Sequence, residues 1–204
     1  MITIIDYGVG NIQAVANIYK RLDVPVTFAK TADELAGATH IVLPGVGAFD
    51  WAMERLEASG MHATLDRLVL EERRLVLGIC VGMQVMAKRS EEGKTAGLGW
   101  FDAEVKRFDE STLQSRTHLP HMGWNDVQPL NTQDLFQSTG ADPRFYFLHS
   151  YYFAPNSAAD VLAQADYGSR FACAVRRQNI FGVQFHPEKS HGWGIQLLKN
   201  FARL

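Results

Sequence analysis

The first half of the chain alternates short apolar runs with segments whose apolar residues recur at helical spacing. Residues 1–6 are predicted as a strand, and after a turn the helical spacing is carried by Ile12, Val15, Ala16, Tyr19 and Leu22. The runs at 41–43 and 75–77 are short and continuous, which is typical of strands buried on both faces. This alternation predicts an α/β fold with a doubly wound, mostly parallel sheet flanked by helices.

Residues with special backbone or capping properties set the expected ends of these elements. Val26–Ala29 is predicted as the second strand, and Thr31 is expected to cap a short helix at 33–35. Pro44 and Gly45 are expected to stop the strand that begins at residue 41. The remaining helices are predicted at 49–58, 61–73, around Met83, Gln84 and Met86, and at 194–204.

Short β-like runs separated by turn residues dominate the second half. They occupy residues 100–108, 124–127, 145–153, 161–167, 171–176 and 180–185. These runs predict an additional, smaller antiparallel portion, and Gln178 and Asn179 favour a hairpin between the last two. Because no repeat, low-complexity tract or linker divides the sequence, we expect a single domain over residues 1–204.

Composition excludes several classes of function. Twenty Lys and Arg against twenty-two Asp and Glu give a net charge of -2, without the basic excess expected of a nucleic-acid-binding protein. No apolar run approaches the roughly 20 residues needed to cross a bilayer, so we expect a soluble, cytoplasmic protein. Gly8 and Gly10 follow the first strand, but Gln13 stands where a dinucleotide-binding motif has its third glycine. The sequence therefore argues against a dinucleotide site, and we expect no cofactor and no metal.

Cys80 is the candidate nucleophile. It lies between Gly78 and Gly82, directly after an apolar strand and before a helical segment, which is the setting that places a nucleophile on a tight strand-to-helix turn. The N–H groups at the start of the following helix favour a thiolate. Cys173, inside an apolar strand, is expected to be structural, and two cysteines are too few for a disulfide framework.

A thiolate that acts as a nucleophile needs a base, and His186 has the best setting among the seven histidines. It ends a β-like run and is followed by Pro187 and Glu188. If this segment is extended, residues i and i+2 share a face, so Glu188 would orient the His186 ring. These residues predict a Cys80–His186–Glu188 triad. The roles of His121 and His149 stay open, and the other histidines are expected at the surface or in structural positions.

The segment at 44–47 (PGVG) follows another predicted parallel strand, where open α/β sheets place their ligands. It can be a simple turn, or it can direct a backbone N–H of Val46 or Gly47 toward a developing oxyanion. The N–H of Val81, directly after the nucleophile, would be a second donor. Together with Cys80, the segment favours acyl transfer.

Three segments together resemble the triad-type (class I) glutamine amidotransferases: 78–84 (GICVGMQ), 44–47 (PGVG) and 184–190 (QFHPEKS). Segments 6–11 (DYGVGN) and 120–125 (PHMGWN) are similar to a member of that family, and the similarity covers essentially the full length. The resemblance implies a glutaminase without a cofactor. It also implies that glutamine is bound by Gly47, Gln84, Glu92, His149, Ser150 and Tyr151, with Glu92 meeting the α-ammonium group.

The resemblance further implies a heterodimer with a (β/α)8-barrel synthase subunit that receives the ammonia. That partner would make imidazole glycerol phosphate and aminoimidazole carboxamide ribotide in histidine biosynthesis. The subunit interface and the ammonia exit would be formed by Met122, Trp124, Asn125, Tyr146 and Lys189.

Three other hypotheses stay open. Residues 90–103 are similar to relatives that serve the amidation of surface sugars, which would give the ammonia a different acceptor. A free-standing thiol hydrolase of the same fold would need no partner. A non-catalytic binding module is the third hypothesis, and the intact triad argues against it.

Overall fold

A computed structural model describes residues 1–113 and 118–204. In chain order its strands are β1 (Ile2–Ile5), β2 (Val26–Ala29), β3 (His40–Gly45), β4 (Leu75–Cys80), β5 (Arg89–Ser90), β6 (Ala103–Arg107), β7 (His121–Asp126), β8 (Gln128–Pro129), β9 (Arg144–His149), β10 (Tyr151–Pro155), β11 (Val161–Asp166), β12 (Arg170–Arg177) and β13 (Ile180–Val183). Its α-helices are α1 (Ile12–Arg21), α2 (Ala32–Leu35), α3 (Phe49–Ala58), α4 (His62–Asp66), α5 (Val81–Gln84) and α6 (His191–Phe201). Helices alternate with strands as far as β4, and strands predominate after α5.

The parallel part of the main sheet has the strand order β2-β1-β3-β4-β13. Every residue of β1 and β13 is buried, as expected of strands covered on both faces. The predicted α/β fold with a mostly parallel sheet is confirmed. In the register of β3 with β4, Gly45 lies opposite Cys80. The two glycine-rich motifs therefore meet at the carboxyl edge of the sheet.

Antiparallel strands extend the main sheet beyond β13. The order continues β13-β12-β10-β6, and β11 pairs with β12 and β8. Arg177 of β12 is opposite Ile180 of β13, so the predicted two-residue hairpin is confirmed. Gln178 supplies the positive φ of 56° that this tight turn requires in the absence of a glycine.

The predicted strand over 145–153 is wrong, because the chain changes sheets at Ser150. β9 pairs with β7 in a separate two-stranded antiparallel sheet, whereas β10 pairs with β6 and β12 in the main sheet. Phe145, Phe147 and Phe153 are all fully buried at odd-numbered positions, whereas residues 150–152 between them are half-buried, so the apolar pattern alone does not mark the break. Periodicity shows which side chains face a core and does not show which sheet they belong to.

Pro44 does not stop β3, which continues to Gly45. β1 pairs with β3 only as far as Val42, so beyond that residue β3 has a neighbour only on the β4 side. A proline is tolerated where one side of a strand has no partner that needs its N–H. The Tyr7 hydroxyl donates a hydrogen bond to the Pro44 carbonyl and fills part of the open side.

Several helix boundaries also differ from the prediction. α5 has four residues and ends before Met86, and the helix predicted at 61–73 is α4 followed by a π-helical segment at Arg67–Glu71. α6 begins at His191 rather than at residue 194. The cap predicted for α2 is confirmed, since the Thr31 hydroxyl accepts a hydrogen bond from the Glu34 N–H. Within the described ranges, no helix is long and apolar enough to span a membrane.

Candidate active site

Cys80 ends β4 and stands at the sharp turn into α5. Its backbone has φ 56° and ψ −114°, a conformation that costs a non-glycine residue free energy and is common at functional sites. The thiol is buried, and its Sγ lies 4.0 Å from the Leu148 carbonyl oxygen and 3.8 Å from Gln184 Nε2. This is the geometry expected of a nucleophile held on a strained strand-to-helix turn.

Two glycines allow the backbones around Cys80 to approach closely. A Cβ added at Gly82 would lie 1.9 Å from the Leu43 carbonyl oxygen, and one at Gly45 would lie 2.3 Å from the Gly82 nitrogen. Any larger residue would push the end of β3 away from the turn after β4. These contacts keep the segment that contains Val46 and Gly47 beside the N-terminus of α5.

His186 and Glu188 form a buried pair. Glu188 Oε1 lies 2.9 Å from His186 Nδ1, and only 3% and 2% of the two side chains are exposed. The predicted extended backbone is wrong beyond His186, because Pro187–Lys189 form a 3-10 turn with proline at its start. The two side chains still meet. Ser190 fixes this turn, since its hydroxyl donates to the His186 carbonyl and accepts from the Tyr146 N–H.

The pKa of His186 is raised to about 10. Burial is the largest influence and by itself lowers this pKa, but hydrogen bonds with Cys80 and Glu188 and the negative charges of both partners outweigh it. Because Nδ1 faces Glu188, Nε2 is the ring nitrogen available to Cys80. The site therefore favours a protonated His186 between the sulfur and the carboxylate.

A cavity of about 350 Å³ opens beside these groups. It brings together Cys80 and His186 with residues from four separate parts of the sequence. The predicted oxyanion and substrate-binding residues that line it are Val46, Gly47, Val81, Gln84, Glu92, His149, Ser150 and Tyr151. The triad carboxylate, Glu188, lies behind His186 and does not line this cavity.

The candidate oxyanion donors come from two neighbouring strand ends. Gly47 has φ +84°, and a Cβ added there would meet none of the described residues within 4 Å, so these surroundings leave room for the peptide to turn. Val46 is 40% exposed at the cavity wall. The N–H of Val81 follows Cys80 at the N-terminus of α5, where backbone donors have no partner within the helix.

Two polar side chains of the cavity are held by contacts within the chain. The Gln84 amide donates to the Tyr151 carbonyl and to Gln184 Oε1, each at 3.0 Å. Glu92 Oε2 accepts a hydrogen bond of 2.9 Å from the Phe49 N–H, and among the described residues its other oxygen has no hydrogen-bond partner and can meet a ligand. A fixed carboxylate at one wall of the cavity is suited to a cationic group of the ligand.

His121 and His149, whose roles were open, form a directed chain of hydrogen bonds. The Tyr151 carbonyl only accepts, so the proton of His149 is on Nδ1, 2.7 Å away. His149 Nε2 must then accept from His121 Nδ1 at 2.9 Å, and His121 Nε2 accepts from the Asn125 amide at 3.2 Å. Burial lowers the pKa of His121 to about 4 and, with the neighbouring His121, that of His149 to about 3. Both rings are neutral at pH 7.

The residues predicted to contact a partner lie on one face beside the cavity. Met122 is 64% exposed and Trp124 37%, and the Lys189 ammonium lies 5.6 Å from the centre of the Tyr146 ring. The Trp124 indole stacks on His191 with ring centres 5.2 Å apart. The Asn125 amide instead points inward, because it donates to His121 and to the Asp166 carbonyl.

Gln184 is a residue of the site that the sequence analysis quoted in a motif but gave no role. It is fully buried and links Gln84 to the Cys80 sulfur through its two amide atoms. A glutamine in an otherwise apolar run, two residues before the candidate base, is the signal that points to it. In the two described ranges, no group of three or more His, Cys, Asp or Glu side chains has the arrangement of a metal site.

Comparisons with known proteins agree with this geometry. The family model described as "Glutamine amidotransferase class-I" matches residues 3–204. Proteins named imidazole glycerol phosphate synthase subunit HisH from Bdellovibrio bacteriovorus and Leptospira interrogans are 55% and 50% identical over 204 residues, covering 100% of both chains in each case. A solved structure described as a glutamine amidotransferase has a TM-score of 0.76 at 18% identity, covering 100% of this chain and 99% of that one, and supports the fold. The chain therefore belongs to the class I glutamine amidotransferase family.

Proposed function

We propose that the chain is a glutaminase that releases ammonia from glutamine as a subunit of an imidazole glycerol phosphate synthase in histidine biosynthesis. The observation that carries this proposal is the buried His186–Glu188 pair, whose histidine lines the same cavity as Cys80, Gln84 and Glu92. The name of the full-length relatives at 55% and 50% identity supports the choice of pathway.

Glutamine is recognised by both of its ends. The free oxygen of Glu92 accepts from the α-ammonium group, and the backbone of His149, Ser150 and Tyr151 meets the α-carboxylate. Gln84, fixed by Tyr151 and Gln184, contacts the bound side chain. In this proposed binding mode the carboxamide of glutamine lies at Cys80.

The first half of the reaction forms a thioester. The Cys80 thiolate attacks the carboxamide carbon, and the N–H groups of Gly47 and Val81 stabilise the oxyanion that develops. The protonated His186 gives its Nε2 proton to the departing nitrogen, so ammonia leaves and a γ-glutamyl thioester remains. Glu188 stabilises the imidazolium and keeps the ring oriented without taking a proton itself.

The second half returns the free enzyme. The now neutral His186 removes a proton from water, and the resulting hydroxide attacks the thioester carbon. The carbon–sulfur bond breaks, glutamate leaves, and His186 is again in the protonated form that the site favours.

Ammonia released into bulk water would be protonated and diluted, so a covered route to a synthase is needed. We propose that the partner is a (β/α)8-barrel subunit that docks on the face around Met122, Trp124, Tyr146 and Lys189. Exposed Met122 and Trp124 side chains beside a catalytic cavity are typical of an interaction surface. Asn125 supports that face from behind through its inward contacts.

Copurification from the native host is the experiment that tests this function. We expect a stoichiometric barrel subunit that converts its substrate to imidazole glycerol phosphate when glutamine is supplied. A sugar-amidating enzyme in its place would move the chain to another pathway, and a monomer that hydrolyses γ-glutamyl substrates at full rate would make it a free-standing hydrolase.

We further propose that the oxyanion donor between Gly45 and Gly47 is set by the partner. A peptide next to a glycine at φ +84° with open space around it rotates at low steric cost. One missing oxyanion donor is worth roughly 10²–10³ in turnover, so activation of at least that order is expected when the partner binds its ligand. Glutaminase turnover of the isolated chain, the complex and the ligand-loaded complex measures it. Full turnover of the isolated chain would refute the gating.

A further inference from the structure

We infer that Asp50 is a positioning residue for glutamine recognition: it holds the loop that carries Glu92 against the start of α3. The inference rests on the proposed function, because it assigns Asp50 to the carboxylate that receives the α-ammonium group. Asp50 itself does not line the cavity.

The start of α3 lacks a cap of its own. Ala48 occupies the N-cap position and has no side chain that could accept a hydrogen bond. The Glu92 carboxylate, from a loop 43 residues away in sequence, accepts from the Phe49 N–H instead. The cap of α3 and the proposed ammonium receptor are therefore the same group.

Asp50 links the same two segments in the opposite sense, because its carboxylate, at the start of α3, accepts hydrogen bonds from the loop that carries Glu92. Its Oδ2 lies 2.9 Å from the Lys94 nitrogen, and its Oδ1 lies 3.1 Å and 3.0 Å from the Lys94 and Thr95 nitrogens. The Lys94 N–H is the main cause of a lowered pKa for the Asp50 carboxyl, so the charged form is the one bound. Two carboxylates, one from each segment, thus bind backbone N–H groups of the other segment.

Gly93 lies at the centre of this connection. A Cβ added there would be 2.0 Å from Asp50 Oδ1 and 2.3 Å from its carboxyl carbon. Only glycine lets the loop approach the carboxylate so closely. Gly93 follows Glu92 directly, so any movement at Gly93 is passed to the ammonium receptor.

Loss of the Asp50 contacts should affect the binding of glutamine more than its hydrolysis. Without the Asp50 contacts, residues 93–95 are no longer tied to α3, and Glu92 loses its fixed position. Cys80, His186 and Glu188 have no contact with this connection among the described hydrogen bonds. We therefore expect the KM for glutamine to change and kcat to stay nearly the same.

Asp50→Asn in the complex with the synthase subunit tests the inference. Loss of a charged acceptor predicts a KM for glutamine raised about tenfold, with kcat within about twofold of the wild type. Gly93→Ala keeps both carboxylates, but the added Cβ pushes the loop away from the Asp50 carboxylate. This variant should therefore raise the KM for glutamine to the same extent, and it tests the inference even if Asp50→Asn folds poorly. Glu34→Gln is the matched control, because Glu34 is an exposed carboxylate that accepts from a backbone N–H far from the cavity, at Lys30.

Two further readouts separate positioning from a general loss of structure. In a Glu92→Gln background, Asp50→Asn should add little to KM, because its effect passes through Glu92. Amide hydrogen exchange at Phe49 should accelerate about tenfold in Asp50→Asn, because the Glu92 acceptor moves away. An unchanged KM in both variants, a full additional effect without Glu92, or an unchanged Phe49 amide would each overturn the inference. If the wild-type complex does not hydrolyse glutamine, the proposed function fails, while the Phe49 amide still decides the role of Asp50.

Discussion

Replacing Glu188 by glutamine should separate orientation of the base from proton transfer. The change keeps the shape of the side chain but removes the charge that lies 2.9 Å from His186 Nδ1. Both side chains are almost fully buried, so solvent does not screen the loss. The effect should therefore appear in the protonation of His186 and in its tautomer.

The expected size of the Glu188→Gln effect follows from the hydrogen bond between Glu188 and His186. A hydrogen bond to a buried charged group is worth about 1.5–3 kcal/mol, which corresponds to about 1–2 pKa units at 1.36 kcal/mol each. Glu188 is one of the partners that raise the pKa of His186, so this pKa should fall in the variant. A glutamine amide can also donate to Nδ1 and favour the wrong tautomer, and in a comparable triad such a change lowers kcat by about 10⁴. His186→Ala should cost more, about 10⁶, because it removes the proton carrier.

The assay is glutamine turnover in the synthase complex from about pH 6 to about pH 11, a range that includes the His186 pKa of about 10. The alkaline limb of the kcat profile reports loss of the His186 proton, so in Glu188→Gln it should move to lower pH by about 1–2 units. Glu104→Gln, which removes a half-buried carboxylate paired with Arg89, is the control and should leave the profile unchanged. An unmoved limb, or equal losses for Glu188→Gln and His186→Ala, would refute the separate roles.

Three other predictions concern the nucleophile, its turn and the buried histidines. Cys80→Ala should abolish glutamine hydrolysis, measured as glutamate release. Partner binding and synthase activity with added ammonium salt should persist. Glutamine hydrolysis at a rate comparable to that of the wild type would exclude Cys80 as the nucleophile. Gly82→Ala should lower the free energy of unfolding by at least about 1–3 kcal/mol, because its Cβ would lie 1.9 Å from the Leu43 carbonyl oxygen; an unshifted urea midpoint would contradict this close approach. His121 and His149 have pKa values lowered from 6.5 to about 4 and about 3, so the unfolded chain binds more protons below pH 6.5. The free energy of unfolding should then fall, as pH drops from 6.5 toward 4, by up to about 1.4 kcal/mol per pH unit for each ring, and a flat urea-unfolding profile over that range would show that the rings are not buried neutral.

Much of the fold was predictable because its signals are local. The turn around Cys80 needs an apolar strand, two glycines and a helix start within a few residues, and all of them are adjacent in the sequence. The hairpin at Gln178 and Asn179 and the Thr31 cap are likewise set by neighbouring residues. The alternation of strands and helices predicted the parallel sheet for the same reason.

The sequence alone therefore determined which residues can act, and the tertiary structure decided which of them meet. Phe145, Phe147 and Phe153 are buried on both sides of a change of sheet, so only strand pairing shows that the chain leaves the small sheet at Ser150. The contacts of His121 with His149 and of Phe49 with Glu92 join residues 28 and 43 positions apart. Periodicity and propensity describe the environment of a residue within its own element, whereas partners at such distances are selected by sheet order and register.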